Sequence, residues 1–329
     1  MKRRDFISMI GAASTWPLVA RAQQGERVRR IGVLMSLGQS DPEGQARIKA
    51  FLEGLQALGW IEGRNLQIEY RWGGGSEDRI RAYAAELVRL APEVIVGNST
   101  PVIAALHRET NSIPIVFVLV NDPVGNGFVA NYARPGGNIT GFTFLEVSMI
   151  GKWLELLTQV APDTRRAALL FNPDLTPYFE KFLRASELVQ RSTAVTIQRE
   201  PVHDWAELQQ IVTEVAREPG SSLILPSDPL IVSNLFPIAQ LAAQLKVPAI
   251  TIYRQYVVDG GLMSYGPDTS DIFRRSASYI DRILKGDKPA DLPAQAPSVY
   301  TFVINLQAAK TLGLEVPPKL LSLAEEVIE

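Results

Sequence analysis

The sequence predicts an α/β protein made of two doubly wound parallel-sheet lobes. Three observations lead there. Short apolar runs rich in β-branched residues alternate with amphipathic helical segments along the chain. The rhythm breaks at Pro135-Gly136-Gly137-Asn138 and then restarts. A chain of 329 residues is also longer than one core usually fills.

In the first half, Arg30–Met35 reads as a strand that ends in the polar loop Ser36–Gly44. Between Gln45 and Leu58, Ile48, Phe51, Leu52, Leu55 and Leu58 recur at three- and four-residue spacing, one apolar helix face that Gly59 ends. Leu66–Trp72 alternates like a strand, and Asp78–Leu90 reads as a helix stopped near Pro92. Val94–Val96 and Ile115–Val118 are buried-strand runs on either side of a helix over Thr100–Arg108. After the break, helices are expected over Ser148–Val160, Tyr178–Arg191, Trp205–Arg217, Phe236–Leu245 and Asp271–Leu284. The intervening strands are Ala167–Phe171, Ala194–Gln198, Leu223–Leu225, Ala249–Thr251, Gly261–Ser264 and Tyr300–Ile304.

The first residues indicate where the protein works. Lys2, Arg3 and Arg4 precede an apolar run from Phe6 to Ala20, and Ala20-Arg21-Ala22 places small residues where a signal peptidase reads. The Arg-Arg-Asp-Phe-Ile order resembles a twin-arginine export signal. Residues 1–22 are therefore expected to be an export signal cleaved after Ala22, giving a periplasmic product. Taking four basic residues (Lys2, Arg3, Arg4, Arg21) and one acidic residue (Asp5) from 33 and 35 leaves 29 and 34, a formal charge of −5. That balance argues against nucleic acid or an anionic membrane surface as partner. The absence of cysteine excludes disulfides, thiolate metal sites and cysteine nucleophiles, and no later apolar run is long enough to span a bilayer.

Catalytic signatures are missing. There is no phosphate-binding Gly-rich motif ahead of a helix, Gly97-Asn98-Ser99-Thr100-Pro101 lacks the last glycine of a nucleophile elbow, and Gly73-Gly74-Gly75 has no lysine after it. His107 and His203 are the only imidazoles, without metal-binding spacing. No catalytic residue, metal or cofactor is expected.

The informative residues are the loops at the carboxyl ends of the predicted strands, where open parallel sheets bind ligands and helix N-termini present unpaired N–H groups. These loops supply Ser36 and Gln39, Asn98, Ser99 and Thr100, Asp122, Asn172, Asp228, Tyr253 and Tyr265. Any one of them alone reads equally well as a helix cap; seven such loops together favour a ligand-binding cleft.

Several segments have the look of a known family: Leu52–Gly63 (LEGLQALGWIEG), Asn65–Trp72, Ile113–Pro123 (IPIVFVLVNDP), Pro135–Thr143 (PGGNITGFT), Gly260–Gly266 (GGLMSYG) and Val303–Lys310. Together they resemble the ABC-transporter substrate-binding proteins of the tryptophan/tyrosine-binding class. The resemblance implies a periplasmic-binding-protein type I fold, with two lobes joined by a three-segment hinge and closing on a small solute. It places the hinge at Thr140-Gly141, Gly266-Pro267 and Pro293–Pro297. One lobe is expected from 27–140 plus 267–292, the other from 141–266 plus 297–329. An amino-acid-like solute would set its carboxylate on Ser99 and Thr100 and its ammonium on Asp228, or second on Asp122. Tyr253, Tyr265 and Phe142 would flank its side chain. The implied partners are the solute and an ABC permease in the inner membrane, with the protein monomeric and not inserted in the membrane. A ligand sensor feeding a membrane kinase would share this fold, and an exported hydrolase is the other alternative.

N-terminal sequencing of the exported protein is expected to begin at Gln23, and finding Met1 retained would overturn the signal. Replacing Arg3 and Arg4 by Lys should stop export if the twin-arginine route is used.

Overall fold

The computed structural model describes residues 28–144, 149–173, 184, 187 and 193–329. The expected export signal, 1–22, and the expected helix 178–191 apart from 184 and 187 lie outside the described residues.

The first lobe runs β1 (Arg29–Met35), α1 (Pro42–Ala57), β2 (Leu66–Trp72), α2 (Glu77–Arg89), β3 (Val94–Asn98), α3 (Thr100–Glu109), β4 (Ile115–Val120) and β5 (Ile139–Thr143). These strands form one parallel sheet in the order β2-β1-β3-β4-β5. Every residue of β3, β4 and β5 is buried, as expected for parallel strands covered on both faces. The chain continues through α4 (Met149–Val160), β6 (Arg166–Phe171), β7 (Thr196–Pro201), α5 (Trp205–Ala216), β8 (Ser221–Leu225), α6 (Pro229–Ser233), α7 (Leu235–Leu245), β9 (Ala249–Thr251), α8 (Arg254–Val258) and β10 (Met263–Pro267). Then come α9 (Thr269–Leu284), a 3₁₀ turn at Pro289–Asp291, β11 (Tyr300–Asn305), α10 (Leu306–Leu312), α11 (Pro318–Leu321) and β12 (Glu326–Ile328). The second sheet has the order β12-β11-β10-β9-β8-β6-β7.

Aspartate and serine start several helices. Asp41 accepts from the Gly44 N–H at 3.0 Å at the head of α1, Asp204 from Glu207 N–H at 2.9 Å on α5, and Asp268 from Asp271 N–H at 3.0 Å on α9. Although α9 follows ten strands, it packs on α1. A Cβ on Gly54 would lie 2.4 Å from the Arg274 carbonyl oxygen, so the missing side chain sets how closely the two helices approach. Trp60 Nε1 donates to Asp281 Oδ1 at 2.9 Å and ties the loop after α1 to the same helix.

The chain therefore crosses between the sheets three times: after β5, between β10 and α9, and between the 3₁₀ turn and β11. These crossings are sewn to one another. Gln295 N–H donates to Gly141 O at 2.8 Å, and Thr143 N–H donates to Gln295 O at 2.8 Å. Thr140 Oγ1 donates to Leu292 O at 2.6 Å, and Asp268 N–H to Val299 O at 3.0 Å. From α9, Arg275 donates to Gln295 Oε1 at 2.5 Å and Ser298 Oγ at 2.7 Å while lying 5.3 Å from the Phe142 ring centroid.

Two details differ from the sequence reading. β5 runs on to Thr143, so the first sheet reaches past the expected division between Thr140 and Gly141. β11 pairs antiparallel with β10, the exception to the expected parallel order among the pairings described. The reason is topological: the chain re-enters the second lobe at Tyr300, opposite the Pro267 end where β10 leaves it, and must run back.

Gly141 lies at φ 152°, and a Cβ there would sit 2.0 Å from the Phe117 carbonyl oxygen. Gly141→Ala is expected to destabilise the fold by about 1–3 kcal/mol, because β4 and β5 cannot separate without breaking their ladder. A lowered urea midpoint at unchanged slope checks this.

Candidate ligand-binding cleft

On the first lobe the site is built at the carboxyl ends of β1, β3 and β4. Asn98, 1% exposed, closes β3; its Oδ1 accepts from Ser36 Oγ at 2.9 Å, and its Nδ2 reaches Val118 O at 3.5 Å. Ser99 N–H donates to the same Val118 carbonyl at 3.0 Å. Thr100 Oγ1 accepts from Asn121 N–H at 3.3 Å, joining the two neighbouring strand ends. Asp122 Oδ1 accepts from Gly125 N–H at 3.0 Å and shapes the turn after β4.

This edge is strained. Ser99 (φ 84°), Leu119 (φ 60°) and Asp122 (φ 44°) are non-glycine residues in the left-handed region, and the β4–β5 register shifts between Val118 and Val120. Such residues cost on the order of 1 kcal/mol or more each and collect at functional sites. The other two, Ala91 and Lys246, sit at helix ends where left-handed residues are common. Ser99 starts α3, yet its side chain makes no capping bond; the usual N2 donor is absent because Pro101 occupies that position. Ser99 Oγ and Asn121 Oδ1 are both buried without a hydrogen bond among the described residues.

On the second lobe, Asp228 is 1% exposed and holds three backbone donors. Its Oδ1 accepts from Leu230 N–H (2.8 Å) and Ile231 N–H (3.4 Å) as the cap of α6, and its Oδ2 accepts from Asn172 N–H (2.7 Å) at the end of β6. Asn172 Nδ2 in turn donates to His203 O at 3.1 Å. Ser227 Oγ and the Tyr253 hydroxyl lie 2.9 Å apart. Burial pushes the Tyr253 phenol up to about 12; the Ser227 hydrogen bond and the charge of Arg47 pull the other way, while Asp228 adds to the rise.

The structure thus gathers Ser36, Asn98, Ser99 and Thr100 with Asp122 close by, and separately Asn172, Asp228 and Tyr253. Gln39 is exposed, and its carbonyl accepts from Gln45 Nε2 at 2.6 Å. Phe142, expected beside the ligand, lies in the hinge, 1% exposed beneath Arg275 and 4.8 Å from the Tyr279 ring. Tyr265, also expected there, stacks on Tyr300 with ring centroids 5.5 Å apart, over α4, whose Trp153 Nε1 donates to its carbonyl at 2.8 Å. Of the hinge candidates, Thr140 and Gly141 lie within β5 and Gly266 and Pro267 end β10. Arg47, Asn121 and Ser227 were not singled out from sequence. Asn121 and Ser227 adjoin residues that were, and nothing in the sequence separates Arg47 from a solvated helix residue. No cluster of three metal-ligating side chains occurs among the described residues, and no described helix is long and apolar enough to cross a membrane.

Two α/β sheets joined by three crossings, each with polar residues at the carboxyl ends of its strands, form the fold of the type I periplasmic-binding class. The chain belongs to the family of ABC transporter substrate-binding proteins, whose model matches residues 31–328. It is similar to a tyrosine-binding protein of Clostridioides difficile, 24% identical over 267 residues that span 81% of this chain and 76% of the relative. Among solved structures it resembles a conserved domain protein of Vibrio cholerae (27% identity, TM-score 0.80, covering 92% of this chain and 100% of that one). It also resembles an ABC domain from Streptococcus pneumoniae in complex with L-Trp (25% identity, TM-score 0.80, covering 91% and 99%).

The phenols of Tyr70, Tyr253 and Tyr256 are all raised, chiefly by burial. A raised phenol stabilises the fold fully below its unfolded value of about 10, and that stability is lost as pH climbs through the folded value. Unfolding free energy is therefore expected to fall between about pH 10 and 12, and less steeply in Tyr253→Phe. Urea titrations across that window check it.

Proposed function

We propose that the protein is an exported, periplasmic component of an ABC importer that captures an amino acid with an aromatic side chain and delivers it to an inner-membrane permease. The observation that carries this reading is the pair of unsatisfied buried atoms, Ser99 Oγ and Asn121 Oδ1, at the strained end of β3 and β4. A buried polar atom without a partner costs about 1–3 kcal/mol, and a strained backbone adds to that; a ligand that supplies the missing partner offsets both. The tyrosine-binding relative and the tryptophan complex of a similar structure support the ligand class.

In this reading the solute's carboxylate sits at the N-terminus of α3 on Ser99 and Thr100, where helix N–H groups favour an anion. Its ammonium faces Asp228, with Asp122 second, and Tyr253 lies along its side chain. Closure of the lobes buries these contacts and strengthens each polar one.

Calorimetry with L-tyrosine and L-tryptophan tests this, with an uncharged sugar as control. Ser99→Ala should weaken amino-acid binding by about 1 kcal/mol without lowering the ligand-free melting temperature, since its hydroxyl makes no bond in the fold. Asp228→Asn should weaken binding by about 2–5 kcal/mol and also lower the ligand-free melting temperature, because it caps α6. Binding of the sugar but of neither amino acid would overturn the proposal.

A further inference from the structure

Asp271, Arg275 and Tyr279 follow one another a turn apart on α9. The two arms of the Arg275 guanidinium are used differently. Nη2 donates to Gln295 Oε1 at 2.5 Å. That amide has its orientation imposed on it. The Tyr279 hydroxyl spends its one proton on Pro293 O at 2.5 Å, so it accepts from Gln295 Nε2 at 2.8 Å and leaves Oε1 facing Arg275. The Gln295 backbone is paired with β5, so this arm is anchored on the first lobe, and the Phe142 ring beneath the guanidinium adds to its hold.

The other arm has two candidates. Nη1 donates to Ser298 Oγ at 2.7 Å and reaches Ala296 O at 3.5 Å. It also lies 3.8 Å from Asp271 Oδ2, one turn back along α9. That carboxylate oxygen is buried and makes no hydrogen bond among the described residues. A buried acceptor without a donor is costly, and a guanidinium N–H is among the strongest donors it could take. A movement of about 1 Å brings Nη1 within hydrogen-bonding distance of it. Ser298 stands two residues before Tyr300, where β11 enters the second lobe, so lobe rotation shifts it relative to α9. One donor therefore faces a satisfied acceptor on a crossing and an unsatisfied one on its own helix.

We propose that Arg275 is a two-position latch for the lobes: Nη1 holds Ser298 in the arrangement of this structure and passes to Asp271 when the lobes rotate. Ser298 and Asp271 then bias the ligand-free equilibrium in opposite directions, and neither touches a ligand. A residue that biases the equilibrium changes the affinity for every solute preferring one arrangement by the same factor. The latch sets affinity and leaves specificity alone, so it holds whatever the cleft binds.

The chain contains no cysteine, so a pair of introduced ones can carry spin labels without background. Lys49→Cys on α1 and Gln240→Cys on α7 are exposed positions on opposite lobes. Double electron–electron resonance on the ligand-free chain then reads the distribution of lobe separations. Ser298→Ala is expected to move that distribution away from the separation in this structure and Asp271→Asn toward it. Each change should alter the ratio of the two populations about threefold or more. In an Arg275→Met chain neither substitution is expected to shift the distribution further, because both act through the guanidinium. Asp271→Ala serves as the second variant if Asp271→Asn melts early. A distribution that neither single variant moves, even with a lowered melting temperature, makes the cluster a packing feature and overturns the latch. Shifts in the same direction, or shifts that persist in the Arg275→Met chain, overturn it as well.

Discussion

At Gly54 the backbone of α1 lies so near that of α9 that even a methyl group would collide with the Arg274 carbonyl. Most of the molecule's organisation depends on that contact. It draws a helix that follows the tenth strand back onto the first lobe, so neither lobe is a continuous stretch of chain. The polypeptide must then cross between lobes three times instead of once. Three neighbouring crossings resist twisting and sliding far better than a single linker, and they leave rotation about a common axis as the easy motion. The antiparallel entry of β11 follows from the same return, because the chain comes back into the second sheet at the end it has just left.

The two faces of the cleft differ in how their polar groups are used. On the second lobe Asp228 and Asn172 are bound into the scaffold, and their side chains join β6, β8 and α6. On the first lobe the backbone is bent into unfavourable conformations, and two polar atoms are left without partners. A face that is satisfied without ligand is rigid and preorganised, whereas one that is strained and unsatisfied gains most when a ligand arrives.

The βα rhythm was legible because parallel strands buried on both faces leave continuous apolar runs and the helices between them keep a clear 3.6-residue face. The loops at the strand ends could be read for the same reason, since topology puts them on one side. What the sequence hides is pleat and curvature. Ile139–Thr143 is buried throughout, so alternation cannot say which way Phe142 points, and it turns to the hinge. The strand read as Ile115–Val118 runs on to Val120 through a left-handed Leu119 and a register slip, which no local pattern signals. Arg47 precedes Ile48 on a mixed helix, and nothing in the local pattern signals that its side chain is only 14% exposed.

The pairing of Gln295 with β5 has a further consequence for solubility. β5 is the outer strand of its sheet, and an outer strand offers unpaired N–H and C=O groups to any extended chain that meets it. Gln295 occupies the Gly141 carbonyl and the Thr143 N–H, and the adjoining Leu292 carbonyl takes the Thr140 hydroxyl. The same few residues that serve as a pivot therefore also blunt a sticky edge. Peeling this segment away would expose a template for self-association, so the seam along β5 protects the isolated molecule as well as joining its lobes.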